Sequence, residues 1–452
     1  MESEKRRDFL LRTAKGVAGV TLGGAALSVW PTGRVLGANE RVQLALIGCG
    51  GRGSYLARFM IEQGAEIVTL CDLKESEMRQ VSSFLSDLQK KKPRFQKRAE
   101  RVLEDKEIDA VIVATPDHWH APMAILACQA GKDVYVEKPN AHNIWESRKT
   151  VEAAEKYDRI VQVGTQNRSG AYNLKALEYV KSGKLGDIRL VKVYNLKPGG
   201  PFSAGKPRAP ETGFDWDTWL GPAPKRDYYP SIWNGGWHHY WDYSGGDLAD
   251  DAAHQVDLAL MLMGDPGAPK AVSSTGGRLQ YKNDDSEVPD LLVSSFEFDE
   301  FVMTLEHSNY PRYMEKTTGT IRRNDDFPYW TQNATRIELY GSELLMTVGR
   351  HGGGWQVAMS GGRVVEQRYG RPCDGEHVEN FLDCVKSRQR PNGDIRTIHP
   401  SCCLLHLANI AHRVGNKTVW FDPANERCVD DKEANALIRR EYRKQFEVPD
   451  KI

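Results

Sequence analysis

Apolar runs and helical patterns alternate in the first third of the chain. Amphipathic segments separate short apolar runs of strand length at residues 41–48, 66–72, 108–114, 133–136 and 160–164. Strands that alternate with helices predict a parallel sheet with helices on both faces. We therefore expect an α/β, doubly wound domain over residues 39–165, followed by a second domain over residues 166–452.

The first 38 residues carry a different pattern. Arg6 and Arg7 precede a charge-free apolar stretch at residues 16–30, and Gly37 and Ala38 close the segment. The stretch is shorter than the roughly 20 residues of a membrane-spanning helix. We predict a twin-arginine export signal over residues 1–38, and a mature protein in the periplasm or elsewhere outside the cytoplasm, without a membrane span. An amphipathic N-terminal helix is the alternative, which the many glycines disfavour.

Composition narrows the class of protein. The 452 residues include 61 Lys and Arg against 61 Asp and Glu, and 40% of them are hydrophobic. This length fits a globular protein of two or three domains. The balanced charge argues against a nucleic-acid binder, which normally has an excess of basic residues.

A glycine-rich turn follows the first predicted strand and precedes a helical pattern. Gly48 allows a tight turn, Gly50 lets a pyrophosphate approach the backbone, and Gly53 lets helix and strand pack closely. The helix N-terminus offers free N–H groups and a partial positive charge to phosphate. We therefore predict a dinucleotide site at Gly48, Gly50, Gly51, Arg52 and Gly53.

Asp72 ends the second predicted strand, 19 residues after Gly53. A carboxylate at this place accepts hydrogen bonds from the ribose hydroxyls of NAD, and its charge repels the extra phosphate of NADP. NAD is therefore the expected cofactor and NADP is less favoured, although Lys74 weakens the discrimination slightly. An Asp that only caps a turn is the alternative.

Several polar residues follow the later strands of this domain. Ligands of parallel sheets bind at the carboxyl ends of the strands. The residues expected to converge on the cofactor are Thr115, Pro116, His120, Glu137, Lys138 and Gln166. His118 and His120 are weak support for a metal ion, because no acidic or cysteine ligand stands nearby in the sequence, and no metal site is predicted.

The segment from Gly245 to Gly264 reads as one amphipathic helix. In helical projection, Asp250, His254 and Asp257 fall opposite an apolar stripe. Asp250 and His254 are one turn apart, so that the carboxylate can orient the imidazole. A histidine held by an acid suits general acid–base chemistry near neutral pH. A surface helix, or a histidine satisfied inside the core, explains the same pattern equally well.

Ten aromatic residues lie between positions 214 and 243, against 9% in the whole chain. Aromatic rings offer apolar faces to sugar rings. We therefore predict that a carbohydrate contacts Trp237, His238, His239 and Tyr240. Arg168 is expected to hold polar groups of the substrate or the cofactor. An aromatic core packed under a loop is the alternative.

Together these motifs resemble the Gfo/Idh/MocA oxidoreductase family, named after glucose–fructose oxidoreductase and inositol dehydrogenase. The matching pieces are Gly48-x-Gly50-x-x-Gly53, Thr115-Pro116-x-x-x-His120, Glu137-Lys138-Pro139 and Asp250-x-x-x-His254-x-x-Asp257. The resemblance implies an α+β second domain with an open, mostly antiparallel sheet, which often joins subunits into a homodimer or homotetramer. Alternating segments at 291–298, 301–307 and 336–340 fit such a sheet.

The resemblance also implies the chemistry, which is NAD-dependent oxidation of a carbohydrate or cyclitol hydroxyl. Lys138, Asp250 and His254 are then the catalytic residues around the nicotinamide. His254 removes the hydroxyl proton, Asp250 orients His254, and Lys138 stabilises the developing oxyanion. Residues 198–244 form a long aromatic insertion that departs from the family pattern and leaves the identity of the substrate open.

Export adds a constraint and an alternative. We expect no free nicotinamide pool outside the cytoplasm, so an exported enzyme must keep its cofactor tightly bound and regenerate it in place. A redox-neutral, NAD-dependent glycosidase that resembles glycoside hydrolase family 109 is the alternative, and it needs a second base, for which Tyr240, His238 and His239 are candidates. A non-catalytic sugar-binding protein ranks third, because Lys138 and His254 are both present.

Overall fold

The computed structural model describes residues 41–452. The predicted export signal, residues 1–38, lies outside these described residues. Within 41–452, none of the helices is both long enough and apolar enough to cross a membrane.

A six-stranded parallel sheet forms the centre of the first domain. Its strands are β1 (Gln43–Ile47), β2 (Glu66–Cys71), β3 (Arg94–Gln96), β4 (Ala110–Val113), β5 (Asp133–Val136) and β6 (Val161–Val163). Their order is β3-β2-β1-β4-β5-β6, and every neighbouring pair is parallel. The order reverses between β1 and β4, which is where such sheets bind ligands. The predicted doubly wound α/β fold is confirmed.

Helices cover both faces of this sheet. They are α1 (Gly51–Glu62), α2 (Glu75–Gln89), α3 (Ala99–Leu103), α4 (His120–Gln129) and α5 (Ile144–Lys156). Helices α1 and α2 pack on one face, and α3, α4 and α5 pack on the other. The central strands are therefore buried on both sides, and this is why they appear in the sequence as continuous apolar runs.

A ten-stranded sheet dominates the rest of the chain. Its strands are β7 (Ile188–Leu196), β8 (Ala271–Gly277), β9 (Leu291–Glu297), β10 (Val302–Ser308), β11 (Arg336–Gly341), β12 (Leu345–Gly349), β13 (Trp355–Ala358), β14 (Val364–Arg368), β15 (Val419–Asp422) and β16 (Arg427–Cys428). Their order is β14-β13-β12-β11-β7-β10-β9-β8-β15-β16. Strands β7 and β10 are parallel, and the other neighbours are antiparallel. The open, mostly antiparallel sheet is confirmed.

The helices of the second half serve both sheets. They are α6 (Ala171–Lys181), α7 (Trp216–Leu220), α8 (Pro230–Trp233), α9 (Gly246–Asp250), α10 (Ala253–Leu262), α11 (Gly319–Arg323), α12 (Asp374–Ser387), α13 (Ile395–Arg413) and α14 (Lys432–Ala436). Helices α10 and α13 are part of the buried core of the ten-stranded sheet. Helix α12 instead packs Val378 and Phe381 against Leu56 and Met60 of α1. The first domain is therefore completed by residues far beyond position 165.

The aromatic insertion at residues 198–244 has a small core of its own. Its buried rings include Phe214, Trp216, Trp219, Tyr228 and Tyr243, and the rings of Trp216 and Trp219 stack with centroids 4.5 Å apart. The insertion docks on the first domain, where Trp119 Nε1 donates a hydrogen bond to the carbonyl oxygen of Trp219 at 2.9 Å. Most of these aromatic residues therefore belong to a packed core.

Candidate active site

A cleft of about 2320 Å³ runs between the two halves of the chain. Most of the predicted cofactor residues line it: Gly48, Gly50, Gly51, Arg52, Asp72, Thr115, Pro116, His120, Glu137 and Lys138. The second half contributes Trp237, His238 and Asp250. Gln166 points elsewhere, since its Nε2 donates to the hydroxyl of Tyr135 at 3.2 Å in the interior of the first domain. The prediction that Gln166 contacts the cofactor is therefore not supported by its position.

The glycine-rich turn has the geometry that its three glycines predict. Gly48 has φ +93°, and a Cβ there would come within 2.5 Å of the Ala114 carbonyl oxygen. A Cβ on Gly53 would overlap the carbonyl oxygen of Gly48, so this glycine lies beneath the turn and permits the close packing of α1 on β1. A Cβ on Gly50 or Gly51 would meet no atom within 4 Å, so the backbone is open to a ligand on this side.

The N-terminus of α1 suits an anionic ligand. Its N-cap residue, Gly50, makes no side-chain capping bond, and the first turn contains no acidic residue. Its N–H groups and positive dipole end are thus left for phosphate. Nearby, Thr115 Oγ1 is buried and has no hydrogen-bond partner among the described residues. An orphaned hydroxyl in the cleft wall and an uncapped helix fit a bound dinucleotide.

Asp72 stands at the edge of the cleft in a fixed orientation. One carboxylate oxygen accepts from the Cys49 N–H at 2.8 Å, and the other accepts from the Lys74 N–H at 2.9 Å. The Lys74 side chain turns towards the aromatic insertion, where it pairs with Glu211 at 2.8 Å and lies 4.6 Å from the Trp233 ring centre. Asp72 thus caps the turn and also faces the cleft.

Lys138 and Asp250 join the two domains inside the cleft. Lys138 follows β5, Asp250 ends α9, and Lys138 Nζ donates a hydrogen bond to Asp250 Oδ1. Burial lowers the pKa of Lys138, but the carboxylates of Asp250 and Glu137 raise this pKa by more. Burial likewise raises the pKa of Asp250, and Lys138 and His238 lower it by more. Both side chains are therefore charged at neutral pH.

His238 approaches the same carboxylate from the insertion. Its Nε2 lies 3.5 Å from Asp250 Oδ2, and its Nδ1 donates to the carbonyl oxygen of Gly235 at 2.7 Å. The ring stacks on Trp237 with centroids 3.5 Å apart. Because Nδ1 of His238 donates to the backbone, Nε2 is the ring nitrogen that is left to accept a proton at the cleft.

His254 is 5% exposed and, unlike Lys138, His238 and Asp250, is not among the residues that line the cleft. Burial, followed by the charges of Arg350 and Lys138, lowers the pKa of His254 well below its usual value, so the imidazole is neutral. The predicted continuous helix is interrupted, because α9 ends at Asp250 and α10 begins at Ala253. The Ala252 N–H reaches back five residues to the Asp247 carbonyl oxygen at 3.3 Å, and this wide turn changes the helical register. Asp250 is accordingly held by Lys138 and His238, and its predicted role of orienting His254 is not supported.

Arg168 and Asp257 form a structural ion pair. Arg168 is 5% exposed, and its guanidinium contacts Asp257 at 2.8–3.0 Å and Asp265 at 2.7–3.1 Å. Ser401 donates a further bond to Asp257 at 2.9 Å. Since all three guanidinium nitrogens are engaged with carboxylates, the position of Arg168 does not support the prediction that it holds substrate or cofactor.

Two of the four predicted carbohydrate contacts lie away from the cleft. The ring of His239 stacks on Phe202 with centroids 4.1 Å apart, and its Nδ1 lies 3.0 Å from Ser286 Oγ. Tyr240 is buried in the insertion, with the Arg226 guanidinium 4.4 Å from its ring centre. Packing within the insertion thus uses both side chains, whereas Trp237 and His238 line the cleft.

Asp117 is a cleft residue that the sequence reasoning missed. It is 1% exposed, and it accepts a hydrogen bond from Ser244 Oγ at 2.7 Å. Burial, reinforced by the charge of Asp250, raises the pKa of Asp117 well above its usual value. Its position directly after Thr115-Pro116 was the available signal, since that motif ends at the cleft.

His120 supports the cleft wall from within. Its ring nitrogens lie 2.6 Å from the Pro139 carbonyl oxygen and 2.7 Å from the Thr115 carbonyl oxygen. The ring therefore ties the turn after β4 to the turn after β5, beside Lys138. The predicted location of His120 near the cofactor residues agrees with this placement.

Two family models match the chain. The Gfo/Idh/MocA model described as "Oxidoreductase family, NAD-binding Rossmann fold" matches residues 42–165. The model described as "Oxidoreductase family, C-terminal alpha/beta domain" matches residues 203–285 and 365–448.

A curated relative and two solved structures illustrate the similarity. A "Glycosyl hydrolase family 109 protein" of Stenotrophomonas maltophilia is 30% identical over 253 residues, which are 51% of this chain and 54% of that protein. The chain thus spans about half the length of the curated relatives it matches. The WlbA dehydrogenase of Bordetella pertussis, solved with NADH and UDP-GlcNAcA, is 19% identical with TM-score 0.62, covering 85% of this chain and 99% of WlbA. The aldose–aldose oxidoreductase of Caulobacter crescentus is 17% identical with TM-score 0.63, and the match covers 84% of this chain and 100% of that enzyme.

The solved structures support the fold, and the family models identify both halves of it. The first model covers the six-stranded sheet, and the second covers the insertion and the C-terminal helices. Together they match more than half of the chain. The chain therefore belongs to the Gfo/Idh/MocA oxidoreductase family and has an NAD-binding Rossmann domain.

Proposed function

We propose that this protein catalyses NAD-dependent oxidation, or the reverse reduction, at a hydroxyl-bearing carbon of a carbohydrate or cyclitol. The observation that carries the proposal is the contact between Lys138 and Asp250, which closes the nucleotide-binding cleft with one residue from each domain. WlbA was solved with a sugar nucleotide, and the Caulobacter enzyme is an aldose oxidoreductase, so similar folds act on sugars.

The proposed chemistry divides the work between three side chains. NAD, when bound, supplies the two-electron acceptor. The Lys138 ammonium donates a hydrogen bond to the substrate hydroxyl oxygen and stabilises the negative charge that develops there. Asp250 keeps that ammonium charged and in place. His254, which is neutral because it is buried, accepts the hydroxyl proton.

NAD is the proposed form of the cofactor. The Asp72 carboxylate stands where it meets ribose hydroxyls and repels a ribose phosphate. Lys74, the nearest cation in the sequence, is already paired with Glu211 and directed at Trp233. The pairing of Lys74 with Glu211 supports the proposal of NAD, because this ammonium already has a carboxylate partner.

A redox-neutral glycosidase is the second candidate. Its support is the similarity to glycosyl hydrolase family 109 proteins and the second imidazole at the cleft. A cycle that oxidises a hydroxyl, removes a neighbouring carbon-bound proton and then reverses the oxidation needs one more base than a simple dehydrogenase. His238, 3.5 Å from Asp250, occupies a suitable place for that base.

Export and self-association complete the proposal. We propose that residues 1–38 direct twin-arginine export and that the cofactor stays bound through purification. We also propose a homodimer or homotetramer through the ten-stranded sheet. Its helix-free face carries exposed apolar side chains, among them Val293 at 43% and Val302 at 39%. Light scattering of the purified protein tests this assembly.

The central experiment is purification without added cofactor, followed by denaturation and detection of released NAD(H). Free sugars and aryl glycosides are then screened with and without an external electron acceptor. Acceptor-dependent oxidation supports the dehydrogenase, whereas release of the aglycone without any acceptor supports the glycosidase. Failure to bind NAD(H), together with no turnover of any sugar, would overturn both candidates.

Two histidine variants assign the bases. For the dehydrogenase, His254→Asn is expected to abolish single-turnover reduction of the bound cofactor, whereas His238→Asn leaves that reduction largely intact. For the glycosidase, His238→Asn stops aglycone release but still allows the cofactor to be reduced by the first step. Unchanged reduction in His254→Asn removes His254 from the mechanism.

A further inference from the structure

Asp251, the neighbour of Asp250, is surrounded by cations from three distant segments. Lys316 Nζ lies 3.0 Å, Lys197 Nζ 3.2 Å and Arg350 Nη1 3.6 Å from its carboxylate. Lys197 follows β7, Lys316 lies before α11, and Arg350 follows β12. Asp251 itself is 7% exposed. One buried carboxylate therefore gathers three positive side chains.

Positive charge exceeds negative charge at this place. We call Lys197, Lys316, Arg322 and Arg350 the basic cluster. Three carboxylates face it: Asp251, Asp247, which pairs with Lys197 at 3.0 Å, and Glu315, which lines the same pocket as Lys197 and Lys316. The more distant Asp374 and Asp250 are engaged by Arg52 and Lys138. Burial is the largest cause that lowers the pKa of Lys316 and of Arg350; neighbouring cations lower both further, while Asp251 raises both.

An unused donor accompanies this excess of charge. Arg350 is 7% exposed, and its Nη1 has no hydrogen-bond partner among the described residues. A buried donor of this kind costs free energy unless a ligand meets it. The planar guanidinium fork matches the two oxygens of a carboxylate or another oxyanion.

The basic cluster adjoins the Lys138–Asp250 pair. The charge of Asp250 acts on both Lys197 and Arg350, and the imidazole of His254 is influenced by both Arg350 and Lys138. Solvent reaches the cluster through a smaller pocket of about 580 Å³, whose lining includes Lys197, Lys316 and also Glu315. The Lys316 side chain is 35% exposed. A ligand group that enters this pocket meets Lys197 and Lys316, whose shared partner Asp251 is the chain neighbour of Asp250.

We propose that the basic cluster binds an oxyanion substituent of the substrate, so that the enzyme acts on an acidic carbohydrate such as a uronic acid or a sugar phosphate. This inference rests on the proposed function, since it places the reacting hydroxyl at Lys138 and the anionic group at Arg350 and Lys316. A neutral sugar leaves the excess positive charge and the Arg350 donor unmet. Acidic sugars are therefore favoured over their neutral counterparts.

Calorimetric titration of the purified holoenzyme tests the site with matched pairs of sugars. The probes are glucose against glucuronate, galactose against galacturonate, and glucose 6-phosphate. We expect at least one acid to bind about tenfold or more tightly than its neutral counterpart, with a preference that falls as salt increases. Tighter binding of glucuronate or galacturonate identifies a carboxylate site, and tighter binding of glucose 6-phosphate identifies a phosphate site.

Three variants locate the preference. Lys316→Met and Arg350→Met are expected to reduce the binding of the acid to the level of the neutral sugar. Lys181→Met, an exposed lysine at the end of α6, is the matched control and should leave it unchanged. Arg350 is buried, so Arg350→Met can unfold the protein. Lys316 is partly exposed, and Lys316→Met therefore gives an independent measurement of the preference for acids.

The outcomes separate this site from the proposed function. Equal binding of acidic and neutral sugars, or a preference that survives in both cluster variants, overturns the oxyanion site. If neutral sugars are oxidised without any preference for acids, the proposed function stands and this inference fails. If the acid preference disappears in both variants but no NAD(H) is bound and no sugar is oxidised, the site stands and the proposed function fails.

Discussion

At the scale of single residues, a series of charged side chains lines the cleft, and its last pair, Lys138 and Asp250, crosses the domain boundary. Arg52 Nε bonds to Glu137 Oε1 at 2.7 Å, the backbone N–H of Lys138 bonds to the other oxygen of Glu137, and the Lys138 ammonium meets Asp250. Asp250 raises the pKa of Lys138 and Lys138 lowers the pKa of Asp250, so each of these two side chains stabilises the charged form of the other. Removing one of them therefore leaves a buried charge without its partner, which costs more than the lost contact alone.

Lys138→Ala is expected to reduce the rate of cofactor reduction in a single turnover by about 10²–10³-fold, because the donor to the developing oxyanion is lost. Lys138→Arg keeps the charge but changes its geometry, so partial activity is expected. NAD(H) content is measured in parallel, and Lys175→Ala, a surface lysine paired with Glu178, is the control. A rate for Lys138→Ala close to that of the unchanged protein would contradict the assigned role.

Asp72→Asn is expected to lower the preference for NAD over NADP by about tenfold or more, since the repulsive charge disappears while one side-chain oxygen still accepts a bond from a backbone N–H. Dissociation constants for both cofactors, measured with cofactor-stripped protein, give the ratio. Lys74→Met is the matched comparison and should change the ratio little, because Lys74 is already bound by Glu211. A larger change in Lys74→Met than in Asp72→Asn would reverse the assignment.

At the scale of elements, the sequence predicted what depends on local pattern. Strands β1, β4 and β5 are buried on both faces, and their apolar runs stand out from the flanking helices. The glycine-rich turn was equally predictable, because close backbone approaches at Gly48 and Gly53 exclude other residues. The break between α9 and α10 was not, because a polarity pattern carries no signal for a single wide turn at Asp247–Ala252.

Contacts between residues that are far apart in the chain limited how much of the site could be predicted from the sequence. Arg168 finds Asp257 and Asp265 across 89 and 97 positions of chain, so its neighbours in sequence gave no indication of its structural role. His239 and Tyr240 share the composition of Trp237 and His238, but their stacking partners decide which side chains reach the cleft. The basic cluster around Asp251 was invisible for the same reason, since three separate segments supply it.

Gly53→Ala is expected to destabilise the protein by about 1–3 kcal/mol, because the added methyl group meets the Gly48 carbonyl oxygen and pushes α1 away from β1. Gly50→Ala is the matched variant and meets no protein atom, so stability should be retained while cofactor affinity falls. Denaturation midpoints and NAD(H) binding are measured for both. Equal loss of stability in the two variants would refute this reading of the turn.

Glu426 connects the β15–β16 hairpin to α5 and α13, and its ionisation makes the free energy of unfolding depend on pH. His399 Nε2 lies 2.6 Å from its Oε1, and Arg148 donates to the same oxygen. Burial raises the pKa of Glu426, but the bonds from His399 and Arg148 lower it by more, from 4.5 to about 2. Because the pKa of Glu426 is lower in the folded state than in the unfolded state, its ionised carboxylate stabilises the fold at pH values above about 4.5. This contribution is lost as the pH falls from about 4.5 towards 2.

Glu426→Gln is therefore expected to destabilise the protein by about 1 kcal/mol at pH 7, a value reduced by solvent screening, and by progressively less as the pH falls from 4.5 to 2. Melting temperatures across this range show whether the two proteins converge at low pH. Glu343→Gln, on the exposed turn between β11 and β12, is the control. A difference that stays constant down to pH 2 would show that ionisation of Glu426 is not its cause.

At the scale of the whole molecule, the C-terminal segment returns to the first domain and connects it to the aromatic insertion. Arg440 Nε and the Tyr442 hydroxyl both donate to Glu146 of α5, at 2.7 and 2.6 Å. Arg443 donates to the Gly221 carbonyl oxygen of the insertion at 2.7 Å. The same short segment therefore holds the two walls of the cleft, so its stability bears on the site as a whole.

Arg440→Ala is expected to destabilise the protein by about 3–5 kcal/mol, because it leaves the fully buried Glu146 carboxylate without its cation. Glu146→Gln removes that charge, so the double variant Glu146→Gln/Arg440→Ala should recover part of the loss. A cycle of the four proteins, measured by denaturation with and without NAD(H), separates the pairing from general packing. If the stability losses of the two single variants simply add in the double variant, Glu146 and Arg440 are not coupled. If the two residues are coupled and Arg440→Ala also weakens NAD(H) binding, the C-terminal segment stabilises the cleft as well as the fold.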